Sequence, residues 1–335
     1  MSTDAETIGP YRLGARLGEG GFAAVYEGTH EETGERAAIK LLHLSREMDP
    51  EVQNRFVREV AILKRLEHEN IVGHYDAGLH DGKIYCALEL VECGTLKDVL
   101  AQRISLPWRE AAEVARQVAL ALEHAHENGC VHRDLKPANL FLSEAGLVKL
   151  GDLGLARDLT DSRLTAQGQT VGSYRYMPPE QIRGEADIDG RLDIYALGCI
   201  VFEMVAGHVP FDGPDFATIF DQHLEASPPR LDVLSRGCPK ALADLVEQML
   251  EKDRDDRPKT GGEVAAALGA VLSGEVVKAN DGSNTGVPAN LTQRLRTGPA
   301  ASESKPFNPI LIALAIVVAV AVASALAAGA YFFLL

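Results

Sequence analysis

Two short polar runs constrain this chain more than any other feature of its sequence. The first, from His132 to Asn139, follows the stretch Pro107 to Gly129, whose apolar spacing predicts an amphipathic helix. The second, from Asp152 to Gly154, follows the strand-like segment Leu147 to Leu150. Alone, Arg133-Asp134-Leu135 would indicate an ion pair at a helix end. The two runs together favour a shared functional site.

The joint set resembles the catalytic motifs of protein kinases. The resemblance implies that Asp134 accepts the proton of an attacking hydroxyl and that Lys136 adds positive charge at the transferring phosphate. It also implies that Asn139 and Asp152 bind Mg²⁺, which prefers hard oxygen ligands beside the phosphates it neutralises.

Composition limits the partners that the chain can bind. Its 335 residues, 46% of them hydrophobic, are enough for a packed core, and its formal charge is −15. We expect no nucleic-acid partner, because such affinity rests mainly on Lys and Arg neutralising phosphates. The five cysteines lack metal-ligand spacing, which is typical of reduced packing residues in a cytosol.

A glycine-rich stretch from Gly18 to Val25 lies between predicted strands and resembles the kinase loop whose backbone amides approach the phosphates of ATP. Alone, such glycines would indicate a hairpin. Ala23 replaces the family's third glycine, which should restrict the loop but still leaves a small side chain near the phosphates. The resemblance assigns nucleotide binding to Leu17, Gly18, Gly20, Gly21, Val25, Ala38, Lys40, Glu59, Glu89 and Val91.

The sequence predicts a helix that Asp49 can cap and Pro50 can begin, with Glu59 on its apolar stripe. A carboxylate that faces a core needs a partner. The resemblance implies that this partner is Lys40, which then holds the α- and β-phosphates. Glu59 could instead snorkel or pair with a neighbouring arginine.

The nearly continuous apolar run Ile84 to Val91 resembles the strand and hinge behind the adenine ring. By this alignment Leu88 faces the back of the nucleotide pocket. The backbone groups of Glu89 and Val91 would bind the adenine edge.

The polar segment Leu155 to Ser173 resembles an activation segment. In the family, an arginine at the position of Arg133 pairs with a phosphorylated residue of this segment, for which Thr165 and Thr170 are the candidates. Either threonine could equally be an ordinary solvated loop residue. The next stretch, Gly172 to Glu180, resembles the peptide-docking segment, with Glu180 expected to pair with Arg257.

The C-terminal part predicts a membrane anchor. Residues 273–308 have the composition of a flexible linker, and residues 309–335 are uncharged and long enough to cross a bilayer. A buried core helix is the alternative, but the segment lacks a polar stripe and caps. Arg294, Arg296 and Lys305 precede the span, which favours a single-pass cell-membrane protein with its catalytic domain in the cytoplasm. From the first and last residues we expect no signal peptide and no outer domain.

Small residues recur every fourth position of the span, from Ala315 to Ala327. Such a face favours a homodimer through close helix packing, although alanine is also common filler in membrane spans.

From Tyr11 to Leu272 the order and spacing of the motifs resemble the eukaryotic-like serine/threonine protein kinases of bacteria. The resemblance implies an α+β, two-lobed kinase fold over 11–272, with a small lobe of about 11–91 and a large lobe of about 92–272. Lys136 marks the loop form that acts on Ser and Thr hydroxyls of protein substrates, with ATP and Mg²⁺ as cofactors. The alternative is a membrane-anchored pseudokinase or scaffold that binds nucleotide without efficient transfer.

Overall fold

The computed structural model describes residues 6–19, 23–42, 63–153, 173–274 and 290–297. The first part of these residues forms an antiparallel sheet with the spatial strand order β1-β2-β3-β4-β6-β5. The strands are β1 Thr7–Ile8, β2 Tyr11–Glu19, β3 Ala23–His30, β4 Arg36–Leu42, β5 His74–His80 and β6 Lys83–Glu89.

The alternation of β4 shows how the sheet presents its two faces. Ala37, Ile39 and Leu41 are buried on one face, where they pack in a small apolar cluster with residues of the neighbouring strands. Because successive side chains of a strand point to opposite faces, Ala38 and Lys40 lie on the other face. That face is turned toward the helical part of the protein, since Lys40 contacts Asp152.

The second part is mainly helical and also contains the short hairpin of β7 (Leu140–Leu142) and β8 (Val148–Leu150). Its helices are α1 Leu96–Arg103, α2 Trp108–Glu127, α3 Pro179–Ile182, α4 Arg191–Ala206, α5 Phe216–Glu225, α6 Leu231–Leu234, α7 Lys240–Met249, α8 Gly261–Ser273 and α9 Leu291–Thr297. A sheet lobe followed by a helical lobe confirms the two-lobed α+β prediction.

Two long helices form the centre of the large lobe. Helix α2 confirms the amphipathic helix predicted between Pro107 and Gly129, and its inward residues Val114, Val118 and Leu122 are fully buried. It ends before Gly129, whose φ of +75° is the left-handed conformation common after helices. Helix α4 packs against α2 and is buried along most of its length, so both helices offer fixed positions for the loop between α2 and β7.

The predicted flexible linker of residues 273–308 is wrong for residues 290–297. These residues form α9, in which Leu291 and Leu295 are buried in the large-lobe core. Sequence composition suggested a tether because the surrounding residues are polar and small, whereas two leucines four positions apart are enough to seat one helical turn.

Several predicted features lie outside the described residues, among them the Glu59 helix, the activation-segment threonines Thr165 and Thr170, and the span 309–335. Among the residues that are described, none of the helices combines the length and apolar character that a membrane crossing requires.

Candidate active site

One buried carboxylate holds the loop that follows α2. Asp193 on α4 accepts hydrogen bonds from the backbone N–H groups of His132 at 2.8 Å and Arg133 at 2.9 Å. His126 on α2 contacts the same carboxylate through Nε2 at 2.8 Å. Arg133 has a φ of 63°, a left-handed conformation that a non-glycine residue keeps only when its surroundings fix it. Asp193 and His126 supply that fixation.

The same loop carries three polar side chains, of which Asn139 is buried and Asp134 and Lys136 are partly exposed. Lys136 Nζ lies 2.6 Å from Asp134 Oδ2, so the two form an ion pair. The side-chain Nδ2 of Asn139 donates to the backbone oxygen of Asp134 at 2.9 Å. Because this bond uses the amide nitrogen, the amide oxygen of Asn139 points the other way.

The β7–β8 hairpin brings Asp152 to this loop. The backbone N–H of Gly151 donates to the backbone oxygen of Asn139 at 2.9 Å, and His132 Nε2 contacts the Gly151 oxygen at 3.0 Å. The structure therefore places Asp134, Asn139 and Asp152 around one point, as the two sequence runs predicted.

Lys40 and Asp152 meet across the two lobes, with Nζ 2.6 Å from Oδ1. The Asp152 side chain remains 44% exposed, and its backbone φ of 55° is one that aspartate tolerates. Partial burial raises the pKa of the Asp152 carboxyl, but the charge and hydrogen bond of Lys40 lower it by more, so the net pKa is below its ordinary value. The carboxylate is ionised at neutral pH and can bind a cation.

The sheet brings four of the ten predicted nucleotide-binding residues, Gly18, Val25, Ala38 and Lys40, to one face together with Leu88. Val25 pairs directly with Lys40 and Ala38 with Leu88, and Gly18 pairs with Val25. Directly paired residues share a face of the sheet, and residues two positions apart do so as well. These five residues therefore form one continuous surface above the helical lobe.

Glu89, at the end of β6, is placed differently. It pairs with Ala37 of the opposite face, and its carboxylate accepts from the Gly73 N–H at 3.0 Å and pairs with Lys149 at 3.0 Å. Its side chain is thus engaged, which leaves nucleotide recognition at this position to backbone groups. Leu17 is 51% exposed near the end of β2, and Val91 follows β6 without regular structure.

Gly20, Gly21, Glu59, Thr165 and Thr170 lie outside the described residues, so their assigned roles stay predictions. This includes the proposed pairing of Lys40 with Glu59. Within the part of the chain that the structure describes, the acidic partner of Lys40 is Asp152.

The chain is also similar to known proteins. A family model described as the protein kinase domain matches residues 11–267 of this chain. The chain belongs to the protein kinase family. The kinase fold is also seen in a solved relative: a mutant kinase domain of Mycobacterium tuberculosis PknI has a TM-score of 0.63 and 29% identity, covering 80% of this chain and 98% of that one.

Curated relatives of the kinase are longer proteins. The probable serine/threonine-protein kinase PknB of Lactococcus lactis is 38% identical over 248 residues, which cover 74% of this chain and 39% of the relative. The serine/threonine-protein kinase PrkC of Bacillus subtilis is 34% identical over 260 residues, covering 78% of this chain and 40% of the relative. This kinase spans about two fifths of the length of these relatives.

A buried ion pair lies beside α3 in the large lobe of the kinase. Arg257 Nη1 and Nη2 donate to the two carboxylate oxygens of Glu180 at 2.7 and 2.9 Å, and both side chains are almost fully buried. The Arg257 guanidinium also lies over the Tyr195 ring, 4.8 Å from its centroid. This geometry confirms the Glu180–Arg257 pair predicted from the sequence.

Sequence reasoning missed the positioning roles of Asp193 and His126. His126 shows no ligand spacing in the sequence, so nothing there indicates this role. A usable signal was present at Asp193, an acidic residue that opens the apolar run Ile194 to Phe202. A carboxylate in such a run is buried and must be hydrogen-bonded, and here its partners belong to the catalytic loop.

We expect Asp193→Asn to lower the free energy of unfolding by about 1 to 3 kcal/mol at neutral pH. Burial raises the pKa of the Asp193 carboxyl, but His126 and the hydrogen bond from His132 lower it by more, so the pKa in the folded protein is below its ordinary value. Such a carboxyl stabilises the fold above its unfolded pKa, and this contribution is lost as pH falls through the folded pKa. The difference between the two proteins should therefore shrink below about pH 4. Urea unfolding at several pH values measures it, and a difference that grows on acidification would contradict the assignment.

Proposed function

We propose that the protein is an ATP-dependent serine/threonine protein kinase that transfers the γ-phosphate of ATP to Ser and Thr hydroxyls of proteins. The observation that carries this proposal is the convergence of Asp134, Asn139 and Asp152 beside Lys40. The first three lie within one hydrogen-bonded loop and hairpin, and Lys40 reaches them from the sheet. The relatives named as serine/threonine-protein kinases support the choice of acceptor.

We assign each side chain one role, which its position supports. Asp134, on the exposed part of the loop, would accept the proton of the acceptor hydroxyl. Lys136, 2.6 Å from it, would add positive charge at the transferring phosphate. Lys40 shares its face of the sheet with Val25 and Ala38, where it would hold the α- and β-phosphates.

The donor set fits Mg²⁺. The Asp152 carboxylate is ionised and half-exposed, and the Asn139 amide oxygen points away from the bond that its nitrogen makes. Among the described residues there is no group of three or more His, Cys, Asp or Glu side chains arranged for a metal. Two protein oxygens suffice, because Mg²⁺ at such sites takes its other ligands from phosphates and water. When bound, the ion would neutralise charge on the transferring phosphate.

The decisive experiment compares the full-length protein with its Asp134→Asn variant, using ATP labelled at the γ-phosphate, Mg²⁺ and a generic basic protein. We expect transfer to protein by the unchanged chain and a loss of about a hundredfold or more in the variant, which lacks the proton acceptor. Asp81→Asn is the matched control, since Asp81 is exposed at the turn between β5 and β6. Nucleotide binding without transfer by the unchanged chain would instead indicate the pseudokinase or scaffold.

We further propose that the kinase phosphorylates its own activation segment at Thr165 or Thr170. The Arg133 backbone is fixed by Asp193 and by Gln181, whose Nε2 donates to the Arg133 oxygen at 3.2 Å. Arg133 would therefore be a fixed cation for a new phosphate. Phosphopeptide mapping of the labelled protein tests this, and active enzyme without phosphate in that segment would rule it out.

Attachment to the cell membrane through residues 309–335, with the catalytic domain in the cytoplasm, is also proposed from the sequence. The small-residue face of this segment supports a homodimer, which would raise the effective concentration of one activation segment near a second catalytic site. Ala319→Ile with Ala323→Ile keeps the segment apolar while adding bulk to this face. Unchanged dimerisation and unchanged self-phosphorylation in cells would leave the segment as an anchor only.

A further inference from the structure

Helix α9 is a short element that begins with its own capping signal. The backbone N–H of Gln293 donates to Asn290 Oδ1 at 2.9 Å, and Gln293 Oε1 accepts from the Asn290 N–H at 3.3 Å. This reciprocal pair satisfies two N–H groups at the start of the helix. A helix of seven residues is nevertheless unstable alone in water, so α9 depends on the surface that it contacts.

The contact surface of α9 is apolar along one side. Leu291 and Leu295, four positions apart, are 4% and 0% exposed, and both belong to the continuous core of the large lobe. Arg296, on the other side of the helix, is exposed. The helix is thus seated in the lobe by one face rather than laid on its surface.

A buried arginine of the large lobe binds the C-terminal end of α9. Arg103, at the end of α1, is 5% exposed and donates through Nη1 to the backbone oxygens of Arg294 at 2.9 Å and Leu295 at 3.2 Å. These are carbonyls of the last helical turn, where a cation is favourable. Glu110 holds the Arg103 guanidinium at 2.9 Å. The lobe therefore carries a buried arginine aimed at this helix.

The beginning of α9 binds the turn between β7 and β8. Thr292 Oγ1 donates to the Ser143 oxygen at 2.7 Å, and Asn290 Nδ2 donates to the Glu144 oxygen at 2.8 Å. Strand β7 starts directly after Asn139, and β8 ends two residues before Asp152. The helix thus holds the far end of the hairpin whose near end carries both expected Mg²⁺ ligands.

We propose that residues 290–297 are a latch, which closes over a cleft formed by α1, α2 and the β7–β8 turn and fixes the hairpin that positions Asn139 and Asp152. The residues on either side of it, 275–289 and 298–308, are rich in small and polar types, a composition typical of linkers. Docking is independent of the proposed function, whereas the effect on Mg²⁺ rests on it.

Hydrogen exchange on the full-length protein, kept in mild detergent, tests the docking. Leu295→Asp places a charge in the apolar cleft and should release the latch, while Arg296→Lys is the matched control on the exposed side. We expect exchange of the amides of 294–297 and of the 143–147 turn to quicken by about tenfold or more in Leu295→Asp and to stay unchanged in the control. The proposal would be overturned if the amides of 294–297 in the unchanged protein exchanged as fast as those of an unstructured peptide. It would also be overturned if release of the latch left the exchange rate of the 143–147 turn unchanged.

A gentler variant tests the positioning role. Thr292→Val keeps the shape of the side chain and removes only the hydroxyl that binds the Ser143 oxygen. We expect both latch variants to need several times more Mg²⁺ for half-maximal transfer, with the rate at saturating Mg²⁺ changed far less. The positioning role would be refuted if a variant needed no more Mg²⁺ than the unchanged protein although hydrogen exchange showed that its latch was released. A protein inactive in every form would refute the proposed function and leave the exchange result to decide the docking.

Discussion

Asp152→Asn is expected to reduce phosphoryl transfer by about a hundred- to a thousandfold while the protein stays folded. The substitution removes the negative charge that faces Lys40 and that would bind Mg²⁺, but keeps the size of the side chain. Asparagine also tolerates the left-handed φ of 55° at this position, so the hairpin should keep its backbone. Steady-state transfer and a thermal melt of the same samples measure the two effects.

Asp81→Asn is a close control for this experiment. Asp81 also has a left-handed backbone, with a φ of 49°, but its side chain is 89% exposed at the turn between β5 and β6. The same chemical change should there leave transfer and melting temperature unaltered. Near-normal transfer by Asp152→Asn, at an unchanged melting temperature, would show that Asp152 is not the metal ligand.

Arg257→Met is expected to lower the free energy of unfolding by about 3 to 5 kcal/mol. It removes the two hydrogen bonds to Glu180, of 2.7 and 2.9 Å, and leaves that carboxylate buried without its cation. It also removes three hydrogen bonds to the backbone oxygens of Arg191, Glu251 and Lys252. Most of this loss of stability comes from burying an uncompensated charge, and less of it from the net stabilisation that the ion pair provides. Chemical denaturation of the full-length protein measures it.

Arg183→Met provides the comparison at the surface. Arg183 pairs with Glu185 at 3.7 Å, and both side chains are well exposed, so the loss should be about 1 kcal/mol or less. Glu180→Gln should be milder than Arg257→Met, because the amide oxygen can still accept from Arg257 and the buried guanidinium keeps its hydrogen bonds to three backbone oxygens. Equal effects of Arg257→Met and Arg183→Met would contradict the burial argument.

Much of the catalytic region could be predicted because its signals are local. The alternation in β4 places Lys40 on the face opposite Ile39, and the His132 to Asn139 run fixes a loop between a helix and a strand. Asp152 directly follows a predicted strand, and the segment between Asn139 and Asp152 is long enough only for a short hairpin. These features depend on residue type and spacing within a few positions, which a single sequence displays directly.

The remaining features depend on contacts between distant parts of the chain. Asp193 lies about sixty residues beyond the loop that it holds, and its apolar neighbours reveal burial but not the identity of its partners. Residues 290–297 were hidden by the composition of the linker, although Asn290, Gln293 and the two leucines form a short helix signal. The cleft that accepts them exists only after α1, α2 and the hairpin have packed.

The left-handed backbone at Arg133 and Asp152 also limits how these two positions can change over evolutionary time. A β-branched residue is poorly tolerated there whatever its chemistry, whereas asparagine and glycine are accepted readily. A lineage that abandoned catalysis but kept the fold would therefore drift first to those two residue types at Asp152. Asparagine or glycine at this position in a related sequence would thus indicate a protein that has lost phosphoryl transfer but kept the fold.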